Sequence, residues 1–136
     1  MNISIDYLSV VVAALAGFIL GWLWYMPLFG KAYRSARGIT AEMEAEGRKD
    51  MGKTMTVIAV CLLIMAWALG VFVGYTHLVT WMQGLKLGAL CWLGFAFTYG
   101  WIETMTSRRK MGAFFIDAGY WLVTMVVMAI IISVWR

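Results

Sequence analysis

The sequence is poor in charged residues, histidine and cysteine, and each scarcity restricts what the protein can be. Only 13% of its 136 residues are charged, whereas 63% are hydrophobic, a composition far from that of soluble proteins. The net charge of +4 does not indicate a nucleic-acid partner, because the basic residues cluster between apolar runs, where they set membrane topology. The composition predicts an integral membrane protein, with membrane lipids as its surroundings.

Metal and redox chemistry have little support in the sequence. The one histidine, His77, has no second histidine with which to form the usual paired-ligand haem or zinc site. Cys61 and Cys91 both lie within apolar runs, where we expect thiols that are buried and unreactive. We therefore predict no metal and no cofactor.

Four apolar runs are each long enough to cross a bilayer, which takes about 20 residues. They extend from about Ile5 to Met26, Thr54 to Val79, Met82 to Met105, and Gly112 to Trp135. Such lengths exclude barrel strands, so backbone polar groups must be satisfied within helices. The sequence predicts one all-α domain, residues 1–136, folded as a four-helix transmembrane bundle.

The basic residues predict the orientation of these spans. The first connection carries six Lys or Arg, the second none and the third three, so the odd connections should be cytoplasmic and both termini external. Within the first connection, Thr40 is a candidate cap for a short interfacial helix with Glu42 in its first turn and Arg48 and Lys49 near its end. This helix is interpreted as a solvated surface helix, with a partner-docking surface as the alternative.

The segment "GWLWYMPLFGKAY", residues 21–33, is unusually crowded with aromatic side chains. Its Trp and Tyr rings suit the headgroup level, Pro27 cannot continue a helix, and Lys31 can extend to the basic side. The segment is therefore the predicted exit of the first span, followed by a sharp turn.

Three parts of the sequence together resemble a known family. They are "GWLWYMPLFGKAY", "WLGFAF" at Trp92 to Phe97 with the later Glu103, and "IDAGYWLVTMVVMAIIISVW" at Ile116 to Trp135. In this order they are similar to the small bacterial four-span family catalogued as domain of unknown function 1761, although Tyr33 replaces the family's usual Trp. The resemblance implies a four-span fold in a bacterial inner membrane and no particular activity.

Small residues recur at four-residue steps and predict close helix contacts. The glycines of these stripes are Gly17, Gly21, Gly70, Gly74, Gly84 and Gly88. Packing within one bundle is the preferred interpretation. The alternative is that one stripe joins subunits of a homo-oligomer, with a dimer favoured.

Aromatic and sulfur-containing side chains offer a second candidate feature. The rings lie at Trp67, Trp92, Phe95, Phe97, Tyr99, Trp101, Tyr120 and Trp121. Ordinary core and lipid packing explains them without a ligand. A site for an apolar or cationic ligand is the alternative.

Two acids are the sharpest functional candidates. Glu103 lies near the end of the third span and Asp117 about a turn and a half into the fourth, so an antiparallel hairpin brings them to similar depth. We expect a polar site at the cytoplasmic mouth in which they bind a proton or cation, oriented by Tyr25 and Tyr120. Lys31 and Arg34 are the candidate basic groups of a lid over it. Simple charge pairing of the acids with loop arginines is the competing interpretation.

These features leave two functions open. A carrier or channel would move a proton, cation or small solute through the acidic site. An accessory protein of a membrane complex would need only good packing and a docking face for a membrane-protein partner. No nucleophile with its base, phosphate loop or metal motif is recognised, so we do not expect an enzyme.

Overall fold

The computed structural model describes residues 6–25, 30–38, 40–49, 51–77, 80–107 and 111–135. These residues form an all-α structure without strands, in agreement with the predicted fold class. The helices are α1 (Tyr7–Leu23), α2 (Gly30–Arg37), α3 (Ala41–Lys49), α4 (Met51–Thr76), α5 (Trp81–Cys91), a π-helical segment (Trp92–Phe97), α6 (Thr98–Ser107) and α7 (Met111–Val134).

Three helical stretches are long and apolar enough to cross a membrane. They are Met51–Thr76, Trp81–Ser107 and Met111–Val134, and Tyr7–Leu23 is a shorter apolar helix. Their length and composition indicate a membrane protein.

Side-chain caps fix where several helices begin. Asp6 accepts from the backbone N–H of Leu8 at 3.0 Å and starts α1. Thr80 and Gln83 form a capping box at the start of α5. Thr40 accepts from the N–H of Met43 at 3.2 Å, which confirms the predicted cap of the short helix α3.

Helix α7 is the centre of the structure. It packs most extensively against α5 and also against α1 and α4, while α1 and α4 pack against each other. Because α1 and α5 both run antiparallel to α7, the end of α1, the start of α4, the end of α6 and the start of α7 lie at one end of the molecule. We call this the basic end, since it adjoins the first and third connections.

Small residues on α5 allow the closest of these contacts. A Cβ added to Gly84 would lie 2.8 Å from the Ala129 carbonyl oxygen, and one added to Gly88 would lie 2.7 Å from the Met125 carbonyl oxygen. No side chain fits at either position unless α5 and α7 separate. This contact positions the whole stretch from Trp81 to Ser107 against α7.

The cysteines are only partly as expected. Cys91 is buried in the core, but Cys61 is exposed on α4. The prediction for Cys61 is wrong because a membrane helix is apolar on every face, so an apolar run does not distinguish the core from the surface that faces lipid.

Candidate functional site

A cavity of about 860 Å³ opens at the basic end, between α1, α4, α7 and the stretch from the π-helical segment into α6. Asp117 projects into it from α7 and Glu103 from α6, and both carboxylates are half-buried. The remaining described lining is mostly aromatic, with three methionines. The structure thus brings both predicted acids to one cavity.

Asp117 is held by a tyrosine from α1. The hydroxyl group of Tyr25 donates a hydrogen bond to Oδ1 of Asp117. The Tyr25 ring packs edge-on against Tyr33 of α2, with centroids 4.9 Å apart, and against Tyr120 of α7 at 5.3 Å. Tyr25 therefore links this carboxyl group to a cluster of three tyrosine rings.

Two tryptophans fix the turn of α7 that carries Asp117. The indole Nε1 of Trp24 donates to the Ile116 carbonyl oxygen at 3.0 Å, and that of Trp92 donates to the Ala118 carbonyl oxygen at 2.8 Å. These bonds come from α1 and from the π-helical segment and flank Asp117 in the chain. They restrict how the carboxyl group can move relative to its neighbours.

The π-helical segment sets the direction of Glu103. Residues Trp92–Phe97 take wider turns than an α-helix, which rotates the following residues about the helix axis. Tyr99 and Glu103, which follow the segment, line the cavity, as does Trp92 at its start, whereas Gly88 before it packs on α7. These π-helical turns were not predicted from the sequence.

Tyr120 does not contact the acids directly. Its hydroxyl group is buried and donates to the Gly17 carbonyl oxygen at 2.9 Å. Its ring nevertheless supports the Tyr25 ring. Tyr120 is thus a positioning residue, and Tyr25 is the tyrosine that touches Asp117.

The structure describes only some of the basic residues expected to form the lid. Lys31 is exposed on α2 and is not among the described lining residues. The side chain of Arg34, and residues 108–110 of the third connection, lie outside the described part. Pro27 lies outside it too, so the turn of the lid is not described.

The glycines of the predicted stripes face other helices of the same chain or are buried. Gly17 faces Thr124 and Leu62, and Gly21 faces the Tyr120 hydroxyl group. Gly70 and Gly74 are buried on α4. With Gly84 and Gly88 against α7, four of the six glycines face helices of the same chain at close range.

Several lining residues were predicted neither for the polar site nor as rings of the alternative ligand site. They are Phe18, Trp22, Tyr33, Met55, Ile58, Met65, Phe114 and Met125. Of the rings named for the alternative ligand site, Trp92, Phe95, Tyr99 and Trp121 also line the cavity. The aromatic crowding of residues 21–33 and of "WLGFAF" was a signal for part of this set. Helical periodicity alone could not separate these rings from those that face outward.

The electrostatics of the cavity favour a positive ligand. Asp117 and Glu103 are the only charged side chains among the described lining residues. No group of three His, Cys, Asp or Glu in the described part of the chain could hold a metal ion. The arrangement is suited to binding a proton or an organic cation through carboxylates and rings.

Comparison with known proteins identifies the family to which the chain belongs. The family described as "Protein of unknown function (DUF1761)" matches residues 8–133. The chain belongs to DUF1761. No curated protein and no solved structure matches it. The DUF1761 match extends from α1 to α7 and so includes every described residue that lines the cavity.

Proposed function

We propose that the protein is a small membrane carrier that binds a proton, a cation or a small cationic solute at Asp117 and Glu103 and moves it across the bilayer. The observation that carries the proposal is the half-buried Asp117, which receives a hydrogen bond from Tyr25 at the wall of a cavity of about 860 Å³. Ionisable groups are costly within a membrane span and usually have a function there.

The proposed architecture is a four-helix transmembrane bundle in a bacterial inner membrane, with both termini external. Helix α1 has 17 residues, and residues 24 and 25 extend it as π-helical turns. At 1.5 Å per residue, α1 approaches the roughly 30 Å of a hydrocarbon core. Its contacts with α4 and α7 support counting α1 as a membrane-spanning helix, which brings the number of spans to four.

The carboxyl group of Asp117 provides a simple basis for exchange. When ionised, it attracts a cation and accepts the Tyr25 hydrogen bond. When protonated, it no longer attracts the cation. A proton and a cationic solute therefore compete for one group, and the facing titratable side chains are Tyr25, Tyr33, Tyr120 and, from α6, Glu103.

Proton flux into liposomes tests this function. Liposomes that contain the purified protein, a pH-sensitive dye and an internal potassium salt as the exchangeable cation should acidify faster than protein-free liposomes under an inward proton gradient. Asp117→Asn should abolish the difference and Glu103→Gln should reduce it. Glu46→Gln on the exposed face of α3 is the matched control and should retain the flux. Protein-dependent flux that Asp117→Asn leaves unchanged would refute the role of this site.

We also propose a homo-oligomer, most simply a dimer. Support comes from the third span, where many large apolar side chains are exposed, including Leu90, Ile102 and Met105. Native mass spectrometry from mild detergent and from lipid should find a species of twice the chain mass. Monomers alone under both conditions would overturn it.

The second candidate function is that of an accessory protein of a membrane complex. Helix α3 favours it, because Glu42, Glu46, Arg48 and Lys49 all expose their charges at the basic end. A stoichiometric membrane protein that co-purifies with the wild type, but not after charge reversal in α3, would support this function over transport.

A further inference from the structure

We infer that the ligand of this cavity is a lipophilic organic cation, a protonated amine or onium ion bearing aromatic or alkyl groups, and that it reaches Asp117 from the bilayer. This inference rests on the proposed function, since it names the chemical class of solute that the Asp117 site takes.

The size of the cavity argues for an organic ligand. A volume of about 860 Å³ lies within the range of roughly 300–1,000 Å³ that is typical of sites for drug-sized molecules. A bare metal ion needs a shell of several oxygen ligands. The described lining instead contains ten aromatic side chains and three methionines, which suit a large apolar body.

The charges of the cavity argue for a cation. Among the described residues, Asp117 has no ion-pair partner, and its hydrogen-bond donor is the neutral hydroxyl group of Tyr25. A half-buried carboxylate without a counter-charge is costly. A bound cation would supply that counter-charge within the cavity.

The rings close to Asp117 suit the head of such a cation. Tyr25, Tyr33 and Tyr120 pack edge-on, with centroid distances of 4.9 and 5.3 Å. Tyr25 is inclined by 73° to Tyr33 and by 65° to Tyr120, so the cluster presents both ring faces and ring edges. An ammonium or onium group there can bind the carboxylate and an aromatic face together.

The rim of the cavity indicates the route of access. Trp22 of α1, Phe95 of the π-helical segment and Tyr99 of α6 line the cavity and are also 60%, 67% and 69% exposed. Met55 and Ile58 of α4 also line the cavity, and each is 37% exposed. An opening bordered by large apolar side chains admits a ligand dissolved in lipid more readily than a hydrated ion.

A pair of ions with matched shape and opposite charge tests the inference. Tetraphenylphosphonium and tetraphenylborate each carry four phenyl groups, and their binding to the purified protein in detergent can be followed by equilibrium dialysis. The phosphonium should bind saturably and the borate should not.

Matched variants locate the site. Asp117→Asn should weaken phosphonium binding by about tenfold or more, whereas Glu46→Gln should not change it. Tyr99→Leu, at an exposed position that folding should tolerate, should weaken it about fivefold. Tyr75→Leu is its control, since Tyr75 is also exposed, on α4, but is not among the described lining residues.

The outcomes separate this inference from the proposed function. Equal binding of both ions, or phosphonium binding unaffected by Asp117→Asn and Tyr99→Leu, overturns the ligand class. If phosphonium does not bind while Asp117-dependent proton flux persists, the carrier function stands and this inference fails. If both binding and flux are absent, both proposals fail.

Discussion

The substitution Gly88→Ala tests the contact that holds the long apolar stretch Trp81–Ser107 to α7. The added Cβ would lie 2.7 Å from both the Met125 carbonyl oxygen and the Val126 Cα, and 2.9 Å from the Val126 nitrogen. All three are backbone atoms, so no rotamer change can relieve the overlap. The helices must move apart until these distances approach the ordinary contact distance of 3.4 Å.

Two opposing contributions set the expected magnitude. Overpacking in a close contact costs about 1–3 kcal/mol, and Gly88 is at the severe end because three backbone atoms are involved. Replacing glycine by alanine within a helix recovers about 1 kcal/mol. We therefore expect Gly88→Ala to lower the free energy of unfolding by about 1–2 kcal/mol.

Gly94→Ala provides the control within the same span. A Cβ at Gly94 meets nothing within 4 Å, so this variant changes local helix preference without a clash. Unfolding in mixed detergent micelles with increasing dodecyl sulfate, followed by tryptophan fluorescence, gives the midpoints. Gly88→Ala should unfold at a lower dodecyl sulfate fraction than the wild type and Gly94→Ala at a similar or higher one. If Gly88→Ala were as stable as Gly94→Ala, the close α5–α7 contact would be refuted.

Three further predictions use the same unfolding assay or a topology reporter. Trp92→Phe removes the indole donor to α7 and should cost about 1 kcal/mol, whereas Trp67→Phe on the exposed face of α4 should cost little. Tyr120→Phe removes the buried donor to α1 and should also cost about 1 kcal/mol, and an unchanged midpoint would contradict the bond. A reporter active only in the cytoplasm, fused after Arg136, should be silent, and a strong signal would reverse the proposed orientation.

The helical fold was predictable from the sequence because span length and apolar composition are strong signals. The cap of α3 was predictable because Thr40 directly precedes a helix with an acidic residue in its first turn and basic residues in its last turn, which is the order that the helix dipole favours. The π-helical segment was not predictable. Its wider turns leave the apolar character of "WLGFAF" unchanged, so the hydropathy pattern does not signal them.

The candidate site, too, was only partly predictable from the sequence. That Glu103 and Asp117 line one cavity agrees with the expected hairpin, because few residues separate the two apolar runs that carry them. The sequence could not show which of Tyr25 and Tyr120 donates the hydrogen bond to Asp117. Both lie within reach of the acid along their helices, and only the contact of Tyr120 with the Gly17 carbonyl group decides between them.

Close helix packing and an open cavity coexist because they occupy different halves of α7. Towards its end, Ala129 contacts glycine on α5 without an intervening side chain. Towards its start, Trp24 and Trp92 bond to α7 through their indole rings. The cavity opens in this half, lined mostly by aromatic side chains. The difference in side-chain size along one helix thus separates a close glycine contact from an aromatic cavity, and the one carboxylate of α7 lies in the half that lines the cavity.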